Sequence, residues 1–448
     1  MKKFRLVIMC SAFLMLLAAC TTTGIKPELE NEETDTEEVI TEPKGKEEAV
    51  TGQESKGKDA EEEGSKTEEA VTEPEPKGNE TEKSTPEQKP ELAEKEEELV
   101  TKEESPVKKI LAQLSLEEKI AQLFVIAPDQ FYGSGPKDGQ TELTPSLKEY
   151  IARYPVGGFI FFAQNIKSPE QVKRFVRELK ETCLLSPIIA IDEEGGRVAR
   201  LARNKAFKLP TFKSMGAIGA SGDVEKAREA GKTIGGYLAD YGFTLDFAPD
   251  TDVNTNPKNI VIGDRAFGSD PELVAAMAEA FLDGLHSAGV KGCIKHFPGH
   301  GDTTGDTHDD YVAVTKTWEE LKKCELIPFI RNFAESDCVM LAHLSIPNIT
   351  EDGYPASLSK ELITGRLRRE LGYGGIILTD ALNMGAIEKN YADGEASVLA
   401  FEAGNDILLM PNDFFAAYEA MLKAVRTGRI AESRVDESLE RILSLKGF

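Results

Sequence analysis

Short apolar runs alternating with helix-patterned segments predict an α/β fold for residues 108–448, a single-domain (β/α)8 TIM barrel. Three observations carry that expectation. Eight runs rich in branched and aromatic residues recur along the chain, each suited to a buried strand. The segments between them repeat apolar residues at spacings of three and four, the period of an amphipathic helix. Titratable residues then stand at the C-terminal ends of several runs, where barrel active sites form. A doubly wound open sheet would share the alternation, but eight evenly spaced units fit closure better.

In order, the runs are LFVIA (Leu123 to Ala127), GGFIFF (Gly157 to Phe162), IIAID (Ile188 to Asp192) and TLDFA (Thr244 to Ala248). KGCIK (Lys291 to Lys295), VMLAH (Val339 to His343), GIILTD (Gly375 to Asp380) and DILLM (Asp406 to Met410) follow. Ahead of the first, SLEE (Ser115 to Glu118) has the form of a helix capping box. Ser168 to Cys183 and Asp270 to Gly289 have the longest helical patterns. Asp192 ends the third run, Lys295 and His296 the fifth, His343 the sixth and Asp380 the seventh. A barrel would bring these groups to one rim.

Residues 1–107 read differently. Lys2, Lys3 and Arg5 precede an apolar core, and LAAC (Leu17 to Cys20) ends it, as in a bacterial lipoprotein signal. Cleavage would leave Cys20 lipidated and the protein anchored on the outer face of the cell membrane. The core is short for a membrane span. Residues 21–107 hold 29 acids, 11 bases and no aromatic residue. Such sequence buries too little apolar surface to offset ordering entropy, so a disordered acidic tether is expected. As a coil it would span about 50 Å. An acidic interaction tail is the rival reading. Of the formal net charge of −25, this leaves −10 on residues 108–448, which argues against nucleic acid as a partner. Cys183, Cys293, Cys324 and Cys338 lack C-x-x-C spacing, so buried free thiols are expected rather than a metal site.

The densest chemistry lies in KHFPGHGDTTGDTH, Lys295 to His308. Its glycines and Pro298 make it a loop, and it holds three of the five histidines. In the pair Asp306 and His308, a carboxylate can hold an imidazole and stabilise its protonated form. Zinc ligation by His300, His308 and Asp306 is the competing reading, without an H-x-x-x-H or cysteine set to support it. Asp380 can be a nucleophile, a metal ligand or a helix N-cap. A carboxylate and a second proton carrier on opposite sides of a glycosidic bond would suit glycoside hydrolysis.

Five ordered motifs make a resemblance specific: IDEEGGRVARL (Ile191 to Leu201), FAPDTDVNTNP (Phe247 to Pro257), GDRAFG (Gly263 to Gly268), KHFPGHG and TDALNM (Thr379 to Met384). From about Leu114 to the end, the chain resembles glycoside hydrolase family 3 in its β-N-acetylglucosaminidase, NagZ-type branch. The resemblance implies a retaining exo-acting enzyme that removes terminal β-linked N-acetylglucosamine, with peptidoglycan fragments as the source. Asp380 would be the nucleophile and His308 the general acid/base, oriented by Asp306. Asp192, Arg200, Arg265, Lys295 and His296 would bind the sugar hydroxyls. Glu194 and Arg197 would be structural, braced within the glycine turn. Neither a cofactor nor a metal is implied, and a monomer is expected. Thr307 stands where the branch usually has serine, which keeps a hydroxyl. The chain ends soon after its last helix, so the acid/base would come from the barrel's own loop. A β-glucosidase, a glycoside phosphorylase and a lipid-anchored sugar binder without catalysis are the alternatives.

Overall fold

The computed structural model describes residues 105–133, 139–305, 312–392 and 394–448. The expected signal peptide with Cys20, the expected tether as far as residue 104, Asp306 and His308 lie outside the described residues. The first helix, Pro106–Leu111, is capped by the Ser105 hydroxyl and so begins slightly before the expected domain boundary at Lys108.

All eight expected strands form. They are β1 Phe124–Ile126, β2 Gly158–Phe161, β3 Ile188–Ile191, β4 Leu245–Asp246, β5 Lys291–Phe297, β6 Cys338–Leu341, β7 Ile376–Thr379 and β8 Leu408–Leu409. Each pairs in parallel with its sequence neighbour from β1 to β7, and β1 also pairs with β8. Nearly every strand residue is buried, as expected for a sheet covered by helices on its outer face. The expected capping box is present: Ser115 Oγ accepts from Glu118 N–H, and the Glu118 carboxylate accepts from Ser115 N–H. Ser168 and Asp270 cap Pro169–Thr182 and Pro271–Ser287, each with proline in the first turn. No described helix is long and apolar enough to cross a membrane. Cys293 and Cys338 are buried free thiols, whereas the free thiols Cys183 and Cys324 are only half-buried.

Closure depends on the seam between β7 and β8. Backbone pairing there is short: one bridge, Leu378 to Ile407, with Asp406 N–H and Ile407 N–H both donating to Ile377 C=O and Thr379 N–H donating to Ile407 C=O. Side chains complete it. Thr379 Oγ1 accepts from Leu409 N–H at 3.1 Å, and Asp406 Oδ2 accepts from Ile377 N–H at 3.1 Å. Asp406 is fully buried, and its carboxylate also meets Ser438 Oγ at 2.7 Å, Arg441 at 3.0 Å and Arg368 at 2.5 Å. One acid thus ties the last strand to the seventh and to the C-terminal helix, Glu432–Leu445. Replacing Asp406 by alanine strands three guanidiniums and an N–H, which should cost about 3–5 kcal/mol in reversible urea unfolding. A loss below about 1 kcal/mol would mean that backbone pairing alone holds the seam.

Candidate active site

A cavity of about 340 Å3 opens at the C-terminal ends of the strands, within the range of small-molecule sites. Asp192, Arg200, Arg265, Lys295, His296 and Asp380 all line it, so the structure brings six of the eight expected catalytic and sugar-contacting residues together. Glu194 lines it as well.

The IDEEGGR turn builds one wall. Gly195 and Gly196 adopt φ of +90° and +59°, left-handed values that suit glycine. The chain reverses there, and Gly195 pairs back with Val198. Glu193, fully buried, accepts from the successive N–H groups of Arg200, Leu201 and Ala202 and from Tyr237 Oη. Those bonds fix the backbone that carries Arg200. The Arg200 guanidinium pairs with Asp192 at 3.2 Å and lies over the Phe162 ring. Its Nε is buried without a hydrogen-bond partner.

Behind this wall runs a ladder of alternating charge. Lys295 Nζ lies 2.9 Å from Asp192 and 2.6 Å from Glu194. Arg265 grips Glu194 with two bonds of 2.8 Å and approaches Asp250 at 3.4 Å. Burial alone would raise the Glu194 pKa, but Arg265 and Lys295 outweigh it and hold the carboxyl well below its ordinary value. Lys295 shows the mirror effect: burial opposes its charge, yet Asp192 and Glu194 push its pKa up. Asp192 is also held low, because Lys295 and Arg200 overcome its burial. Asp192, Glu194, Lys295 and Arg265 are therefore ionised at neutral pH, whereas burial and the repulsion of Asp252 push the Asp250 carboxyl up to about 7.

His296 is different. Burial, reinforced by the Arg265 charge, lowers its pKa to about 4, so the ring is neutral at pH 7. Nδ1 lies 2.7 Å from Asp252 and Nε2 lies 3.2 Å from Arg265 Nη2. A guanidinium can only donate, so Nε2 accepts and the proton sits on Nδ1, facing Asp252. Asp252 also accepts from the His300 N–H and from the His296 N–H at 3.3 Å, which anchors the start of the KHFPGHG loop. Asp250, Asp252 and His296 place possible metal-ligating atoms within 4.8 Å of one another. Arg265 stands against both Asp250 and His296, yet burial and the repulsion of Asp252 still push the Asp250 carboxyl up to about 7.

Asp380 follows β7 directly. Its N–H donates to Leu341 C=O at 2.9 Å, and its Oδ1 accepts from Ala381 N–H at 2.8 Å. The next helix, Gly385–Glu388, begins after Met384, so Asp380 is not its N-cap. Its carboxylate faces the cavity instead. His343, expected among the rim groups, is buried behind it. The His343 ring bonds to Ser357 Oγ at 2.7 Å and to Ala381 C=O at 3.0 Å, which braces the backbone beside Asp380.

Two expectations need correction in place rather than in kind. Glu194 is not held within the glycine turn but forms the central rung of the ladder. Arg197 reaches across to the carbonyls of Ile260, Val261 and Ile262 and to Asp264, clamping the loop that carries Arg265. Asp250, Asp252 and Glu193 were not singled out beforehand. Two of them sit in the quoted FAPDTDVN motif just past β4, where the strand-end rule could have found them.

The fold and the cavity together define a (β/α)8 barrel of the glycoside hydrolase class. The chain belongs to the family described as glycosyl hydrolase family 3 N terminal domain, matched over residues 115–445. It is similar to beta-hexosaminidase A of Pseudoalteromonas piscicida, 35% identical over 333 residues, covering 68% of this chain and 56% of that protein. It is also similar to beta-hexosaminidase LpqI of Mycobacterium tuberculosis, 34% identical, covering 75% of this chain and 84% of the relative. Among solved structures, a glycoside hydrolase family 3 beta-N-acetylglucosaminidase from Paenibacillus sp. superposes with a TM-score of 0.69 at 40% identity. That match covers 74% of this chain and 62% of the other. The chain thus spans only a little over half of some relatives.

Glu194→Gln should test the ladder. Glu194 has a lower pKa folded than unfolded, so the stability it adds is present above its ordinary value near 4.5 and lost as pH falls below it. The variant should lose about 3 kcal/mol at pH 7 and show a flatter acid limb in unfolding measured between pH 5 and 3. An unchanged acid limb would remove Glu194 from this role.

Proposed function

We propose that this chain is a retaining exo-β-N-acetylglucosaminidase acting on terminal, non-reducing β-linked residues, with cell-wall fragments as substrate. The observation that carries the reading is Asp380, an unblocked carboxylate facing a sugar-sized cavity walled by fixed donors and acceptors. The named activities of similar proteins support the choice of sugar.

In this reading the Asp380 carboxylate attacks the anomeric carbon as His308 gives its proton to the departing oxygen. A covalent glycosyl-aspartate results. His308, oriented by Asp306, then takes a proton from water, which attacks the same carbon and frees Asp380. Arg200 and Lys295 donate to sugar hydroxyls, and Asp192 accepts from them. Neutral His296 positions Arg265 rather than donating charge to the sugar. The lipoprotein signal, Cys20 and the acidic tether suit an enzyme held outside the cell by its lipid, working as a monomer within reach of the wall.

Asp380→Ala should abolish turnover while leaving the circular dichroism spectrum unchanged. A 2-fluoro glycoside should label the Asp380 peptide, as read by mass spectrometry of a digest. Label on another residue would reassign the nucleophile. His308→Ala should depress hydrolysis of poor leaving groups far more than that of activated aryl glycosides, by about 100-fold or more. Aryl β-N-acetylglucosaminide should be cleaved in preference to aryl β-glucoside, and the free sugar should remain the product when phosphate is added. A sugar phosphate would instead establish a phosphorylase.

A further inference from the structure

A second cavity is larger than the one at the rim. It has a volume of about 800 Å3 and lies between the helical segment Glu361–Glu370, the helix Glu395–Ala403 and the C-terminal helix. Asp406, at the N-terminal end of β8, underlies it, so it stands at the opposite end of that strand from the active site.

Its charge does not balance. Arg368, Arg434 and Arg441 converge on the one Asp406 carboxylate, at 2.5, 3.7 and 3.0 Å. Lys360 and Arg369 line the lip, are exposed, and form no ion pair among the described residues. Asp352, Glu402 and Glu437 are the acids of the lining, and Glu437 is held by Arg441. Arg429 lines the same cavity, matched by Glu395 and by Glu402, another lining acid. Six cations therefore face five carboxylates, and Lys360 and Arg369 are the two without an ion pair among the described residues. Arg368 and Arg434 are pulled below the usual arginine range, by burial first and by the repulsion of Arg441 as well. Such an excess is unexpected on a domain whose own charge is negative. The guanidiniums are fixed, Arg434 over the Phe401 ring at 4.5 Å and bonded to Asn405 C=O, and Arg368 bonded to Tyr373 C=O. Fixed forks with spare N–H groups match the oxygens of phosphate. Leu358, Leu399 and Ile430 add apolar lining, and the volume exceeds what a bare ion needs.

We propose that this cavity is a binding site for a phosphate-bearing organic anion, separate from the catalytic pocket. The experiment is isothermal titration of the full chain with glycerol 2-phosphate, with inorganic phosphate and glycerol as companions, at constant ionic strength in chloride. Glycerol 2-phosphate should bind saturably, more tightly than inorganic phosphate, and glycerol not at all. Affinity should fall about tenfold or more in Lys360→Gln/Arg369→Gln, whose exposed side chains carry no folding role, and should persist in Asp380→Ala. Aryl glycoside hydrolysis should be unchanged by saturating glycerol 2-phosphate and by the double variant. No saturable binding, binding that survives the double variant, or binding that competes with substrate would each overturn the assignment. None of these outcomes bears on Asp380 as nucleophile.

Discussion

The rim depends on one buried arrangement: Glu194 held between Lys295 and Arg265, with Asp192 and Asp250 completing the row. Each ion alone would cost several kcal/mol to bury. Alternation of sign removes most of that cost for Asp192 and Glu194, each with a cation within 3.2 Å, whereas burial and Asp252 push the Asp250 carboxyl up to about 7. The result is a wall that is charged yet stiff. A sugar's hydroxyl groups need donors and acceptors at set positions, and side chains locked by their neighbours supply these without an ordering cost on binding. Arg200 shows how the wall is held. Its carboxylate partner Asp192 orients it, and the guanidinium lines the cavity over the Phe162 ring.

The barrel makes this row possible by bringing three distant segments into register. Asp192 and Glu194 follow β3, Asp250 and Asp252 follow β4, and Lys295 and His296 lie at the end of β5. Asp250 pairs with Lys295 through a backbone bridge, and Asp246 lies opposite both Ile191 and Gly292. Neighbouring parallel strands therefore set the spacing of the charges before any side chain chooses a partner. Arg265 arrives from a loop with no strand of its own, and so needs a separate clamp. Arg197 provides it by capturing three consecutive carbonyls.

This division explains what could be read from the sequence. The eight strands were legible because burial on both faces demands continuous apolar runs, and their ends located Asp192, Lys295, His296 and Asp380 directly. Partner choice was not legible. Nothing local tells Glu193, which binds backbone, from Glu194, which binds cations, since the two differ only in which side of the turn they face. His343 misled for the same reason: the strand-end position was right, but the ring turns inward to Ser357 and Ala381. His296 was legible as a site residue and not as a neutral one, because its pKa is set by burial and by Arg265, a contact from 31 residues away. Closure of the seam by the Asp406 side chain likewise follows from contacts far apart in the chain.

The two ends of the seventh and eighth strands show how one fold separates holding from reacting. Asp406 at the lower end has its oxygens engaged by a backbone N–H, a hydroxyl and guanidiniums, so its charge is spent on structure. Asp380 at the upper end takes a bond from its own neighbouring N–H, with no cation paired to it among the described residues. An ion pair there would stabilise the carboxylate and blunt it as a nucleophile. Lys295 and Arg265 stand close by but are already claimed by Asp192 and Glu194. The ladder therefore does two things at once: it builds a wall of the cavity, and in the proposed mechanism it keeps Lys295 and Arg265 engaged away from the Asp380 carboxylate.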